Sequence, residues 1–159
     1  SAESTLKSVS EHETLATDDQ YIRYLAARIE YVRGDQKAAA NQLQLLRQTT
    51  ANLALQHKIL SFQRYMTSLS GDHLKSAEMG AQLLERTKPG AERSTLQRTI
   101  WRDLQRASGS QILGASSRAT GAQWRGWLEL AYLTAEAKND SQLKYAIAYR
   151  ILLIHLVWP

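Results

Sequence analysis

The sequence predicts an all-α fold, and three observations carry that prediction. Ala, Leu, Gln, Arg and Glu are abundant, whereas only two prolines and eight glycines interrupt the 159 residues. Such a composition favours helix almost throughout. Apolar residues recur at intervals of three and four along most of the chain, which is the spacing of one helical face. Short turn-forming pairs separate these runs, so we expect the helices to fold back on one another.

The unit on which the chain is built lies between Asp18 and Thr50. Its first run has Ile22, Leu25, Ala26, Ile29 and Val32 on one face, and its second run has Ala39, Leu43 and Leu46. Gly34 suits the left-handed position after the first helix, and Asp35 then suits the N-cap of the second. We therefore predict a helical hairpin whose two apolar stripes form its core.

The same turn recurs further along the chain. Gly71-Asp72 follows Gly34-Asp35 after 37 residues (71 minus 34), and Asn139-Asp140 is a third version. Helix-turn-helix units near this period indicate tetratricopeptide-like stacking, in which each hairpin buries its open face against the next. The predicted fold is thus a tetratricopeptide-like stack of antiparallel helix pairs, a right-handed solenoid, over residues 18–159. We expect residues 1–17 to form a polar N-terminal segment or a short edge helix.

Two further apolar series predict helices in the middle of the chain. The series from Asn52 to Ser70 has core positions Leu55, Ile59, Phe62, Met66 and Leu69. The series from Ala91 to Ala107 has Leu96, Ile100, Leu104 and Ala107, with Trp101 on its flank. Between them, Lys88-Pro89-Gly90 is the clearest break, because Pro removes a donor and Gly frees the backbone. We expect this break to divide two hairpins from a different second half.

The last third of the chain is predicted to be helical as well. Glycines and serines after Gly109 predict a weak, short-helical connection, and helices follow from Trp127 to Lys138 and from Ser141 onward. We expect Trp101 and Trp127 to be wedges between hairpins that bury most of their rings. The run from Ile151 to Trp158 is apolar on every side, so it packs into this domain, pairs with another copy, or lies under a part of the protein absent here.

A second line of side chains runs beside the predicted core stripes. It is a candidate partner-binding groove formed by Tyr24, Arg28, Tyr31, His57, Arg64 and Tyr65. In tetratricopeptide-like folds the first helix of each pair lines the concave surface, and aromatic and guanidinium groups grip peptides or glycans well. The alternative is that the tyrosines pack on the neighbouring helix and expose only their hydroxyls.

The charge of the chain is unevenly distributed. The net charge is +5, and the stretch from Arg86 to Arg125 holds eight basic residues against Glu92 and Asp103. Arg98, Arg102 and Arg106 form a basic row on one predicted helix, which is either a solvated face or a site for an anionic partner such as a nucleic acid.

The sequence offers no basis for catalysis. It contains no cysteine, so thiolate metal sites and disulfides are excluded. No nucleophile, phosphate-binding or zinc-protease motif is present, and no histidine has a second ligand at metal spacing. We therefore expect a protein that is not an enzyme and uses no cofactor or metal.

The second half of the chain resembles a known family. Leu96, Trp101-x-x-Leu104, a Ser/Gly-containing connection, Gly126-Trp127-Leu128-Glu129-Leu130 and Asn139-Asp140 follow one another in the order found in the N-terminal domain of the LpoA family. Tyr24-Leu25-Ala26-Ala27-Arg28 and Gly34-Asp35 extend the resemblance more loosely into the first half. Together it covers about residues 18 to 150.

The resemblance implies a role in cell-wall synthesis. LpoA-family proteins are outer-membrane lipoproteins of Gram-negative bacteria that activate class A penicillin-binding proteins. It implies a periplasmic docking domain, anchored through an upstream lipidated cysteine and followed by a periplasmic-binding-protein-like domain absent here. The expected partners are a class A penicillin-binding protein, peptidoglycan or both, with no nucleic acid and no membrane contact except the anchor. The alternatives are a generic tetratricopeptide-like adaptor and a basic nucleic-acid-binding domain.

Overall fold

The computed structural model describes residues 18–157, and over this range the chain is all-α, as predicted. It contains eight α-helices and one short 3₁₀ helix, and no strand occurs between residues 18 and 157. The predicted edge helix in residues 1–17 and the end of the apolar run at Trp158 lie outside the described residues. The helices are α1 (described over residues 18–32), α2 (Gln36–Thr49), α3 (Leu53–Leu69), α4 (His73–Arg86), α5 (Ala91–Arg106), α6 (Gly109–Ser117), α7 (Arg125–Ala137) and α8 (Ser141–Val157), with the 3₁₀ helix at Ala122–Trp124.

The three predicted turns form by one shared mechanism. Each has a residue with positive φ followed by an aspartate whose carboxylate accepts a backbone N–H three residues on. The left-handed residues are Gly34 (φ 100°), Gly71 (φ 88°) and Asn139 (φ 53°). The capping contacts are Asp35 to Ala38 N at 3.1 Å, Asp72 to Lys75 N at 3.2 Å and Asp140 to Leu143 N at 3.0 Å. Each turn thus ends one helix and begins the next.

The chain divides into two compact units, Ser1–Gln63 and Arg64–Pro159. The boundary falls inside α3, away from the predicted break at Lys88-Pro89-Gly90. That prediction was wrong because α4 and α5 pack against each other across the Pro89-Gly90 turn. Gly80 lies against Ile100, and the Arg93 guanidinium donates to the Leu84 and Thr87 carbonyls. The turn therefore joins an antiparallel pair.

The first unit has α1 and α2 and the beginning of α3. The predicted stripe of α2 is buried: Ala39, Leu43 and Leu46 all lie in the core. From α3 the core receives Leu55 and Ile59, as predicted, and also Leu60. Phe62 is half-buried.

The predicted core stripe of α1 was wrong. Its five residues, Ile22, Leu25, Ala26, Ile29 and Val32, are all exposed, Ile22 to 63% and Val32 to 83%. Tyr24, exposed to 6%, and Ala27 are buried instead. The reason is that the inward face of α1 meets the ring of Phe62, and two tyrosine rings cover an aromatic partner with more area than branched aliphatic chains do. The helix is thus turned about its axis relative to the prediction.

The second unit is built around Trp127, which is fully buried. Its buried cluster includes Ile100, Leu104 and Ala107 of the predicted α5 stripe, whereas Leu96 packs at the edge. The α7 and α8 helices are antiparallel, since Glu136 meets Lys144 at 3.6 Å and Arg125 lies 3.3 Å from His155. The predicted wedge at Trp127 is confirmed as buried, while Trp101 is only partly buried.

Some predicted core positions in the second unit are exposed. Leu69 is exposed and Met66 half-buried, because α3 ends at Leu69 and the chain turns away at Gly71. The apolar end of α8 packs on one side only: Ile154 is buried, and Leu152, Leu156 and Val157 are exposed. The Ser/Gly connection does form a short helix, α6, which starts with a capping box between Ser108 and Gln111.

Candidate functional site

Three of the six predicted groove residues meet around one ring in the first unit. The Phe62 ring makes edge contacts with Tyr31, with centroids 5.5 Å apart, and with Tyr24, with centroids 6.5 Å apart. The Arg28 guanidinium carbon lies 5.3 Å from the Phe62 centroid and 5.7 Å from that of Tyr24. Tyr24, Arg28, Tyr31 and Phe62 are called the Phe62 cluster below.

The Phe62 cluster presents a cation at its edge. Tyr24 is buried and Tyr31 is half-buried, so the rings act mainly as packing, whereas Arg28 is exposed. Stacking on two ring faces holds a guanidinium in place with about 0.5–1 kcal/mol at an exposed site. In the described part of the chain no carboxylate pairs with Arg28. Because Arg28 is exposed, its guanidinium can bind an acidic group from a position that the two rings help to fix.

The other three predicted groove residues do not join this cluster. His57 lies half-buried on α3 in the first unit. Arg64 and Tyr65 belong to the second unit, where Tyr65 is exposed and Arg64 reaches inward. The groove through all six residues stays a prediction.

Arg64 is part of a buried polar network centred on Asp103. The Asp103 side chain is 3% exposed and has four polar neighbours. Ser76 Oγ donates to it at 2.7 Å, Ser68 Oγ at 3.1 Å and Arg64 Nη2 at 3.2 Å, and His73 Nδ1 lies 3.4 Å from the carboxylate. Arg64 and Ser68 lie on α3, and His73 and Ser76 lie on α4. Asp103 lies on α5. The network therefore fastens the second-unit part of α3 to α4 and α5.

Burial and charge act on Arg64 in opposite directions. Burial lowers the pKa of the Arg64 guanidinium, and the Asp103 carboxylate opposes this by its charge and hydrogen bond. Asp103 is thus the group that makes the buried cation tolerable. This indicates that the pair has a structural role. Arg64 is therefore not among the exposed cations available to a partner.

The sequence did contain a signal for this network. Asp103 lies three residues after Ile100 and seven after Leu96, on the apolar stripe of α5. A carboxylate at a core position is rarely left without partners. What the sequence could not show is which distant donors surround it, since Arg64 is 39 residues away.

A basic row lies on α5, as the sequence predicted. Arg98, Arg102 and Arg106 are all exposed, and Arg98 contacts Thr95 Oγ1 at 3.2 Å. Arg93, one turn before them, is instead occupied by the carbonyls that end α4. The row is a solvated cationic edge three residues long, shorter than the basic tracks of nucleic-acid-binding proteins that contact several phosphates.

The described residues contain no group of three His, Asp or Glu side chains arranged to hold a metal ion. Within the same residues, none of the helices has the length and apolar character needed to cross a membrane.

Comparisons with known proteins give no relative. No protein-family model matches the sequence, and neither the search of curated proteins nor that of solved structures gives a significant match.

Proposed function

We propose that the chain is a non-catalytic scaffold and docking domain of a periplasmic lipoprotein. In the full-length protein this lipoprotein is held at the outer membrane, and it activates peptidoglycan synthesis by a class A penicillin-binding protein. The observation that supports this proposal is the position, in the structure, of the residues on which the LpoA resemblance rests. Leu104, Trp127 and Leu128 are fully buried. Gly126 lies so close to α4 that an added Cβ would meet Leu84 Cδ2 at 2.7 Å.

These residues are the packing centre of the second unit, and this supports a likeness in fold. A short motif on an exposed helix face recurs by chance, because solvent accepts many residues there. A glycine that lets α7 approach α4, followed by a buried Trp-Leu pair, depends on the neighbouring helices and is more restrictive. The motif of the family thus coincides with the part of this chain where residue choice is most constrained.

The finer architecture belongs to the same proposal. The helix pairs joined at Gly34, Gly71 and Asn139 stack as a right-handed, tetratricopeptide-like solenoid. The shared turn chemistry supports this, since a repeated joint produces a repeated hairpin. Such a stack offers extended surfaces for a partner and needs no chemistry of its own.

The Phe62 cluster is the proposed contact with the partner, at the Arg28 guanidinium. A cation held over two rings suits acidic groups on an extended peptide or on a glycan strand with peptide stems. His57 on α3 of the first unit is a further proposed contact, with Tyr24 and Tyr31 holding the helices of that unit in place.

The test uses the purified chain with the periplasmic region of a class A penicillin-binding protein and, separately, with isolated peptidoglycan. We expect saturable binding to at least one of them, measured by calorimetry and by co-sedimentation. The Arg28→Gln variant is expected to weaken this binding about tenfold, the effect of about 1.4 kcal/mol. Arg23→Gln is the matched control, because Arg23 lies on the same helix, is exposed and pairs with Asp19 at 3.0 Å.

The other outcomes separate the alternatives. Equal losses in both variants would indicate nonspecific charge attraction and would contradict the role of Arg28. Binding to neither partner would refute the proposal. Salt-sensitive binding to DNA or RNA that is lost on substituting Arg102 would favour the nucleic-acid alternative.

A further inference from the structure

The outward face of α1 is an apolar stripe without a partner in the described part of the chain. Ile22, Leu25, Ile29 and Val32 are exposed, and they form what is called the α1 stripe below. Leu45 on α2 is also exposed, and it lines a groove beside the stripe together with Ala26, Leu46 and three polar residues, Arg23, Gln42 and Thr49. A contiguous apolar patch of this kind on a folded unit marks an interaction surface.

The spacing of the α1 stripe fits an antiparallel copy of itself. The intervals from Ile22 to Leu25, Ile29 and Val32 are three, four and three residues. This order is the same from either end. When two such helices run in opposite directions about a two-fold axis beside residue 27, Ile22 lies opposite Val32 of the other copy, and Leu25 lies opposite Ile29. The alternation is that of two facing coiled-coil seams.

The charges at the two ends of α1 select the same orientation. Asp18 and Asp19 lie at its beginning, and Arg33 follows its last turn. In an antiparallel pair, Asp19 of each copy lies beside Arg33 of the other, on the same edge of the stripe. In a parallel pair, like charges would meet at both ends, which is unfavourable. Antiparallel helix dipoles also place each positive end beside a negative end.

We propose that the chain forms a symmetric homodimer through the α1 stripes, packed antiparallel. The occupant of this surface is a second copy because both the apolar spacing and the charge order are complementary to themselves. Four side chains per copy give an interface smaller than the standard size of about 800 Å² per partner, so the dimer has a dissociation constant in the micromolar range. The inference rests on α1 and the residues beside it, and it does not depend on the proposed function.

The register can be tested directly because the chain contains no cysteine. Ile22→Cys and Val32→Cys are made as separate variants and oxidised, alone and as a mixture. Antiparallel pairing places position 22 against position 32, so the mixture is expected to give a disulfide-linked dimer and each variant alone is expected to give little. Cross-linking of each variant with itself would show parallel pairing and would overturn the proposal.

The strength and the site are tested by sedimentation velocity over about 5 to 500 μM, a range that brackets a micromolar dissociation constant. The parent chain is expected to shift from monomer to dimer across this range. Ile29→Glu is expected to raise the dissociation constant at least tenfold, whereas Leu133→Glu, at a comparably exposed leucine on α7, leaves it unchanged. A parent chain that stays monomeric at the highest concentration, or equal effects of the two variants, would refute the inference.

A charge exchange gives an independent measurement. Asp19→Arg and Arg33→Asp each place like charges together at both ends of a homodimer. Each variant alone is expected to be more monomeric than the parent. A mixture of the two restores opposite charges at both ends and is expected to form the heterodimer. Far-UV circular dichroism of each variant serves as the control for folding. A mixture no more associated than its components would contradict the charge order.

Discussion

Replacing Asp103 by Asn is expected to destabilise the second unit by about 3 kcal/mol. Asn preserves the shape of the side chain and can still accept a hydrogen bond from Ser76, but it removes the charge that faces Arg64. The pair is shielded from water, with the two side chains exposed to 3% and 14%. Breaking a buried ion pair by removing one partner costs about 3–5 kcal/mol, and the conserved shape places this case at the lower end.

The reciprocal change shows whether the two charges need each other. Arg64→Met leaves the Asp103 carboxylate with its serine donors and the neighbouring histidine and is expected to cost about 3 kcal/mol as well. With both changes no unpaired charge remains, so the double variant is expected to cost about 4 kcal/mol. The difference from the sum of the single changes is about 2 kcal/mol, within the range for contacting residues.

Urea unfolding followed by tryptophan fluorescence measures these effects in the correct unit. All four tryptophans lie after residue 64 in the sequence, so their emission reports on the second unit. An unchanged dependence on urea concentration would show that the variants alter stability and leave the unfolding reaction the same. Additive costs, with the double variant near 6 kcal/mol, would refute the view that Asp103 compensates the buried charge of Arg64.

Three further changes test the packing of the helices, each by urea unfolding. Gly80→Ala is expected to cost about 1–3 kcal/mol, because the new Cβ would lie 2.5 Å from an isoleucine on α5. Gly114→Ala in α6, where a Cβ would meet nothing within 4 Å, is expected to stabilise by about 0.5–1 kcal/mol. Equal effects of the two variants would contradict the close approach of α4 and α5 at Gly80. Trp127→Ala is expected to cost about 3–5 kcal/mol of stability, and Trp101→Ala clearly less, because Trp101 is only partly buried. A larger loss for Trp101→Ala would show that Trp127 is not the wedge between the helices. Asp72→Ala removes the N-cap of α4 and is expected to lower the free energy of unfolding by about 1 kcal/mol. No change in stability would show that the Asp72 side chain does not cap the helix.

The turns could be predicted from the sequence because their chemistry is local. A left-handed residue followed by a capping aspartate needs only neighbours a few positions away, and Gly34-Asp35 and Asn139-Asp140 both behave accordingly. The stripes of α2 and α5 were also predicted correctly. Their opposite faces carry charged and amide side chains, so only one face of each helix could be buried.

The Asp103 network and the boundary inside α3 could not be predicted in this way. Each depends on which helices meet, and the donors to Asp103 come from positions 27 to 39 residues earlier. The Lys88-Pro89-Gly90 segment has the strongest local signal for a break. That signal reports a change of chain direction, and it contains no information on whether the two helices it joins then pack together.

The α1 helix shows where a hydrophobic pattern leaves two answers. One face carries aliphatic residues and the opposite face carries Tyr24, Ala27 and Tyr31, so both can exclude water. Within the first unit the choice is made by Phe62, whose ring accepts two tyrosines edge-on and the Arg28 guanidinium beside them. The aliphatic face is then left exposed with a spacing and charge order that match a second copy. A helix with two apolar faces needs two partners. Phe62 covers one face, and we infer that the α1 stripe of a second copy covers the other.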